Sequence, residues 1–418
     1  MSAAPLRIAY LVDQFPVLSE TPYLNQITGM VRRGHEVDVY ADYPPRDGQW
    51  HPDVDALGLR ARTRYAAPAP RGHLARLRAV HSLFAGRLPD ERRLLHRALN
   101  PAVSGLHALS ARLPWQAVPF LPARSYDVIH GCFGPDGIRL DRLRRVGVVS
   151  GRLVTSFRGA DITRYVQSRG PRVYRGLFAR GDLFMPVSDD FAQRLAALGA
   201  DPAKIVVHRT GIDVSLFAWR PRAPRPGAPM RLATVARLVE KKGIEYVIRA
   251  VGTLAREGAN VEYVVIGDGA LRPQLEALAA AEGVATRVRF AGWRQQREVR
   301  DLLDASDVLV AASVTAKSGD QEGIPNAVKE GMALGLPVVS TLHSGIPELV
   351  DDGVHGLLVP ERDSAALAAA FRTLLAHPAR WATMGRAARE KVEREYDIEK
   401  LNDRLEAHYS RLVGRDSP

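Results

Sequence analysis

Short apolar runs alternate with helical patterns along this chain, and the alternation occurs twice. In the first half the runs are 6–12 (LRIAYLV), 36–41 (EVDVYA), 126–131 (YDVIHG), 153–157 (LVTSF), 183–188 (LFMPVS) and 204–209 (KIVVHR). In the second they are 231–237 (RLATVAR), 261–267 (VEYVVIG), 287–292 (RVRFAG), 308–313 (VLVAAS), 337–341 (PVVST) and 356–359 (GLLV). Continuous apolar strands of this length, separated by helices, form parallel sheets covered on both faces. Helical patterns lie between them, such as Glu20 to Arg33 ending at Gly34 and Ser188 to Leu198 ending at Gly199. Residues 218–229 (AWRPRAPRPGAP) carry four prolines and no periodicity, so they read as a linker. The expected fold class is α/β: two Rossmann-like domains of similar size, 1–217 and 230–394, facing each other across a central cleft. Ligands of such sheets bind beyond the carboxyl ends of the strands. Residues 42–124 interrupt the alternation with Pro, Arg and amphipathic pieces that suggest no topology.

Composition narrows the class. Hydrophobic content of 46% and charged content of 25% are ordinary for a globular protein. No apolar run reaches the length of a membrane span, and residues 6–12 are too short for a signal peptide. One cysteine, Cys132, rules out an intrachain disulfide, so the expected location is cytoplasmic. The net charge of +12 is uneven: residues 60–124 hold twelve arginines against Asp90 and Glu91. Such a segment suits an anionic membrane surface, and Leu74, Leu77, Val80, His81 and Phe84 fall near helical spacing within it. The alternative is a solvated arginine face produced by coding bias. No nucleic-acid motif with interleaved aromatics accompanies the arginines.

The densest chemistry lies between 313 and 360. Glu322 and Glu330 flank Gly323-Ile324-Pro325-Asn326. Proline is tolerated at a helix start, so a helix is expected from Pro325 to Leu334, closed by Gly335. Its free amides and dipole make an anion site suited to a diphosphate. A carboxylate accepts two hydrogen bonds from a vicinal diol, so each glutamate suits a hydroxyl-rich neighbour. A solvated helix with two glutamates is the plainer alternative.

From E-G-I-P through G-L-P-V-V-S-T to G-V-H-G-L-L-V-P, this stretch resembles the donor-site signature of retaining glycosyltransferases of family 4, which have the GT-B fold. The resemblance covers most of the chain and is most specific from 204 to 360. It implies that Glu330 holds a ribose diol and that Glu322 faces the hydroxyls of the transferred sugar. Arg237 and Lys242 stand where relatives carry donor-phosphate ligands; Arg brings a planar fork and Lys a compact charge. Lys241 is the less favoured neighbour. Gly267-Asp268-Gly269 resembles the family's G-x-G turn, and Trp293 in F-A-G-W aligns with the loop beside the base. The resemblance also implies that a last helix, 395–418, crosses back to the first domain. Thr210-Gly211-Ile212-Asp213 with Phe217 reads as an architectural turn at the hinge.

In the first domain F-P-V-L-S-E-T (15–21) resembles the subset found in exopolysaccharide assembly, the colanic-acid type among them. Ser19 would cap the helix with Glu20 and Thr21 on the acceptor side; a plain helix cap is the other reading. Phe157-Arg158-Gly159-Ala160-Asp161 resembles H-G-x-D, with Arg158 in place of a histidine, and Cys132 replaces a second histidine in H-G-C-F-G. Arg158 cannot act as a base and can only bind charge. Asp161 completes the expected acceptor-side set.

The resemblance thus implies a retaining, metal-independent transferase. It would use a UDP- or GDP-linked sugar, need no cofactor and act on a glycan or lipid-linked glycan. No D-x-D-type ligand set stands out. A GT-B phosphorylase or epimerase, or a non-catalytic sugar-nucleotide-binding protein, are the alternatives.

Overall fold

The computed structural model describes residues 4–16, 21–45, 50 and 52–415. Two six-stranded sheets, all of whose ladders are parallel, organise the chain. The first contains β1 (Arg7–Gln14), β2 (Glu36–Tyr43), β3 (Thr63–Tyr65), β4 (Arg124–Gly131), β5 (Val149–Phe157) and β6 (Leu183–Pro186), in the order β3-β2-β1-β4-β5-β6. The second contains β7 (Met230–Val235), β8 (Val261–Ile266), β9 (Val288–Gly292), β10 (Val308–Ala311), β11 (Val338–Thr341) and β12 (Gly356–Val359), in the order β12-β11-β10-β7-β8-β9. Each sheet buries both faces. Ile8, Tyr10 and Val12 enter one core cluster, while Ala9 and Leu11 enter the other. Val308 and Val310 likewise face away from Leu309.

Two expectations about strands change. Residues 204–209 do not form a strand. Lys204 closes a 3-10 turn, and from Ile205 the chain runs extended beside β6, where the Val206 amide donates to the Phe184 carbonyl and the His208 amide to that of Pro186. Pro186 has no N–H to return a bond, so the ladder stops at a single bridge, Phe184 with Ile205. Conversely β3 was not foreseen, because Thr63-Arg64-Tyr65 is a three-residue edge strand with no apolar run.

The stretch between β3 and β4 folds into short helices, among them His73–Ala79, Pro89–Leu99 and Arg112–Ala117. Leu95, Ala98, Leu113, Trp115 and Phe120 close one face of the first sheet. The expected apolar stripe divides here. The helix ends at Ala79 and a 3-10 turn follows, so Val80 and Phe84 pack inward while Leu74 and Leu77 stay exposed.

The chain crosses between the domains twice, and the crossings pair. The Ile212 amide donates to the Tyr396 carbonyl and the Ile398 amide to the Ile212 carbonyl, each at 3.0 Å. Gly211 lets them approach, since a Cβ there would lie 2.8 Å from Leu401 and 2.9 Å from the Ile398 backbone. Asp397 caps the helix Ile398–Leu412, which returns to the first domain and buries Leu405 and Tyr409 beside Ile8 and Tyr10. Residues 218–229 are pinned rather than free. Arg222, only 5% exposed, donates to Asp304 Oδ1 and to the Leu334 carbonyl, both at 2.8 Å.

Candidate active site

The carboxyl ends of β7, β8 and β10 meet the loop 312–325 and the helix Asn326–Ala333. That helix begins one residue later than its sequence suggests: Pro325 is the N-cap, with ψ at 130°, and Leu334 is the C-cap. Proline here sets the entry angle instead of filling the first helical position. Among the described residues no acceptor meets the amides of Gly323, Ile324, Asn326 and Ala327. With the helix dipole they form a row of donors aimed at an anion. Thr234, Ala236, Lys242, Ser313, Pro325 and Ala327 line a narrow cavity in front of it.

Glycines let the backbone converge on this point. Gly243, at φ 59°, would place a Cβ 1.9 Å from the Ala312 carbonyl, so only glycine permits the turn after the two lysines. Gly267, at φ 133°, lies against the Ala236 carbonyl, and Gly269 lies against the Leu238 backbone. The G-x-G turn thus seats β8 on the loop after β7.

Arg237 is exposed just past the end of β7, and its guanidinium has no polar partner among the described residues. Lys242 Nζ lies 2.9 Å from Glu322 Oε2 and Lys241 Nζ 3.0 Å from Glu322 Oε1; Lys241 also reaches Asp320 at 3.3 Å. Both lysines therefore meet Glu322, but only Lys242 also lines the cavity. Burial alone would raise the Glu322 pKa; Lys242 and then Lys241 outweigh it and hold the group at about 2. The Glu322 amide donates to His343 Nε2 at 3.1 Å, and His343 Nδ1 meets Glu361 Oε1 at 2.5 Å. The loop carrying Glu322 is thus held from behind by a His–Glu pair. Glu330, half-buried, accepts from Gln296 Nε2 at 3.3 Å. Burial raises its pKa, opposed by the Gln296 bond and then by Lys329 and Arg300. Ile324 is buried among the core residues of the second domain, whereas Asn326 is half-buried and Trp293 is 69% exposed in the loop after β9.

Across the cleft the first domain presents the turn after β5. Arg158 donates from Nε to the Cys132 carbonyl at 3.1 Å and from NH2 to Gln26 Oε1 at 2.7 Å, while its buried NH1 has no partner. A Cβ on Gly323 would sit 3.1 Å from the Arg158 carbonyl, so this turn abuts the amide row. Asp161 lies in the same turn as Arg158. It is buried and accepts from the amides of Gly134, Arg158 and Gly159, where a short carboxylate stitches two loops together. Ser19 and Glu20 lie outside the described residues, and Thr21 opens the helix Thr21–Arg32. Arg194 reaches Gln321 Oε1 at 2.7 Å, and Glu348 accepts from the amides of Asp189 and Asp190 at 2.9 and 3.0 Å, which fastens the two domains together. Asp53-Val54-Asp55 has D-x-D spacing but its aspartates pair with Arg32 and Arg60 on the surface.

The family model for glycosyl transferases group 1 matches residues 229–377, and that for a glycosyl transferase 4-like domain matches 21–211. The chain belongs to this glycosyltransferase family. It is 38% identical over 408 residues to the putative colanic acid biosynthesis glycosyltransferase WcaL of Salmonella typhimurium, covering 96% of this chain and 98% of that protein. It is 36% identical to the amylovoran biosynthesis glycosyltransferase AmsK of Erwinia amylovora, over 94% of this chain and 96% of that one. Among solved structures, Anabaena HepE in complex with UDP and glucose superposes at a TM-score of 0.69 with 18% identity, covering 97% of this chain and 100% of its own. Sucrose-phosphate synthase from Thermosynechococcus elongatus superposes at 0.70 with 19% identity, covering 98% and 99%. These glycosyltransferases share the GT-B arrangement of two parallel sheets, and the two family models leave between them residues 212–228, which take in most of the Pro-rich connector. No helix among the described residues is long and apolar enough to cross a membrane.

Proposed function

We propose that this glycosyltransferase moves a sugar from a UDP- or GDP-linked donor to a hydroxyl of a glycan or lipid-linked glycan during exopolysaccharide assembly, with retention of configuration. The observation that carries this is a row of unpartnered amides with cations beside it. The amides of 323, 324, 326 and 327 meet no acceptor among the described residues, Lys242 lines the same cavity while paired with Glu322, and Arg237 follows β7 at the carboxyl end of the second sheet. They suit a departing nucleoside diphosphate, whose growing charge is the largest quantity a transferase must stabilise. The bond between the anomeric carbon and phosphate breaks. The acceptor oxygen bonds to that carbon on the same face, and the acceptor proton leaves with the phosphate. Glu330 faces the ribose diol and Glu322 the sugar hydroxyls. Lys241 and Lys242 keep Glu322 ionised as an acceptor. No metal takes part in this reading, and no cofactor beyond the donor. Arg158, with one guanidinium nitrogen free and no acid paired to it, adds positive charge on the acceptor side.

The acceptor surface follows from the arginine-rich helices. Arg71, Arg78, Arg92, Arg93 and Arg97 are exposed, as are Leu74, Leu77 and Leu88 on the same stretch of chain. This composition supports reversible docking of the cytoplasmic enzyme on an anionic membrane, beside a lipid-linked acceptor.

Incubation with a panel of nucleotide sugars and measurement of released UDP or GDP tests the proposal. Release from one donor, raised by lipid-linked glycan, is expected. Binding without turnover across the panel would favour a sugar-nucleotide-binding protein. Phosphate-dependent release of sugar phosphate would favour a phosphorylase.

A further inference from the structure

Lys329 stands on the helix Asn326–Ala333, one residue before Glu330, yet it points away from the cavity and is 0% exposed. Its Nζ donates to the Thr210 carbonyl at 2.6 Å and to Thr210 Oγ1 at 2.8 Å, and lies 5.6 Å from the centre of the Tyr396 ring. Thr210 precedes the first crossing between the domains, and Tyr396 precedes the second. The two crossings pair with each other through Ile212 and Asp397. One buried amine thus touches both strands of the hinge and the helix that presents the amide row. A side chain that is costly to bury is placed where a leucine would pack.

We propose that Lys329 is a positioning residue, a clasp that joins closure of the two domains to the orientation of the helix carrying the amide row and Glu330. When the clasp is closed, no water reaches the amine, and its two bonds to Thr210 match the two hydrogens that a neutral amine still has. When the hinge opens, Thr210 withdraws and water enters. Several charged groups face this point. Glu330 lies on the same helix, and Arg158 follows β5. Arg209 lies 6.0 Å from the Tyr396 ring on its own segment, and Glu348 is paired with Arg209. Burial lowers the Lys329 pKa from 10.5 to about 7; Glu330 opposes this and Arg158 adds to it. An amine whose pKa falls on closure releases a proton as it closes. Closure is therefore favoured as pH rises from about 7 towards 10.5, and is indifferent to pH below 7.

Small-angle X-ray scattering of the full-length protein, from pH 6 to 10, reads the ratio of closed to open forms without any sugar donor. Its failure is therefore distinct from a negative donor panel. For the wild type the ratio is expected to rise by up to about tenfold per pH unit above 7. Lys329→Met keeps the stem and removes the titrating amine, so its ratio is expected to stay flat over the same range. A rise of equal size in Lys329→Met, or a wild type flat from pH 7 to 10, would overturn the proposal. Should Lys329→Met fail to fold, Thr210→Val keeps the carbonyl and removes the hydroxyl. It is expected to lower the closed-to-open ratio at pH 8 by about tenfold. An unchanged ratio there overturns the clasp.

Discussion

Glu322→Gln is isosteric and removes one charge from the centre of the site. In the wild type the carboxylate meets Lys241 and Lys242 at 3.0 and 2.9 Å with only 13% of its side chain exposed, so solvent screens little of the interaction. Its pKa is about 2 in the folded chain against an ordinary 4.5. That difference corresponds to about 3 kcal/mol of stability at neutral pH. The folded pKa lies below the unfolded one. The contribution is therefore complete above 4.5, shrinks as pH falls towards 2 and is gone below it. At pH 3 about 1.5 kcal/mol is expected to remain. Breaking a buried pair from one side costs a similar ~3–5 kcal/mol, because the two ammonium groups lose their partner.

Urea unfolding of both proteins from pH 3 to 7 measures this directly. The gap between wild type and Glu322→Gln should narrow from about 3 to about 1.5 kcal/mol as pH falls. At pH 7 the domain's melting temperature should drop by roughly 6–12 °C. A gap that stays constant across this range would refute the ion-pair account. A variant as stable as the wild type at pH 7 would refute the burial of the charge as well. Activity should also fall, since the amide is a weaker acceptor for sugar hydroxyls than the carboxylate.

Glu330→Ala is expected to weaken UDP or GDP binding by about 1.5–3 kcal/mol in titration calorimetry, with the loss in affinity and not in folding. Arg237→Ala should cut turnover strongly in the nucleotide-release assay. Arg237→Lys should not restore it, because the planar fork is lost. Turnover should persist in EDTA, and activity abolished by EDTA and restored by a divalent ion would contradict the metal-free reading. Cosedimentation with vesicles should show binding that grows with anionic lipid and fades at high salt. No binding at low salt would point to a soluble acceptor.

The alternation of apolar runs was enough to place most strands, because a strand buried on both faces has no polar positions to blur it. Where burial is partial the signal fails: Thr63–Tyr65 is a half-exposed edge strand, and 204–209 is apolar yet meets a proline that cannot complete the ladder. The local geometry of the proposed donor side was legible because loop, proline and helix are contiguous between 320 and 334. The groups that hold it in place were not. His343 supports Glu322 from 21 residues away, Gln26 meets Arg158 across 132, and Thr210 meets Lys329 across 119. Such pairs have no spacing to recognise. Lys242 is favoured over Lys241 in the sequence because it directly precedes Gly243. In the fold both lysines meet Glu322, but Lys242 lines the cavity while Lys241 also reaches Asp320.

Gly267-Asp268-Gly269, which resembles the family's G-x-G turn, has a backbone reason of its own. In the fold, a Cβ at Gly267 would lie 2.0 Å from the Ala236 carbonyl, and one at Gly269 would lie 2.6 Å from that of Leu238. Their first duty is to let the end of β8 lie against the loop after β7, which carries Arg237. A side chain at either position would push that loop outward before any ligand arrived. The turn thus sets where the arginine stands. Gly243 acts the same way on Lys242, since its positive φ and its contact with the Ala312 carbonyl leave room for no other residue. The cations that the proposed chemistry needs are short-range groups on mobile stems. In this chain their aim comes from backbone contacts that only glycine allows.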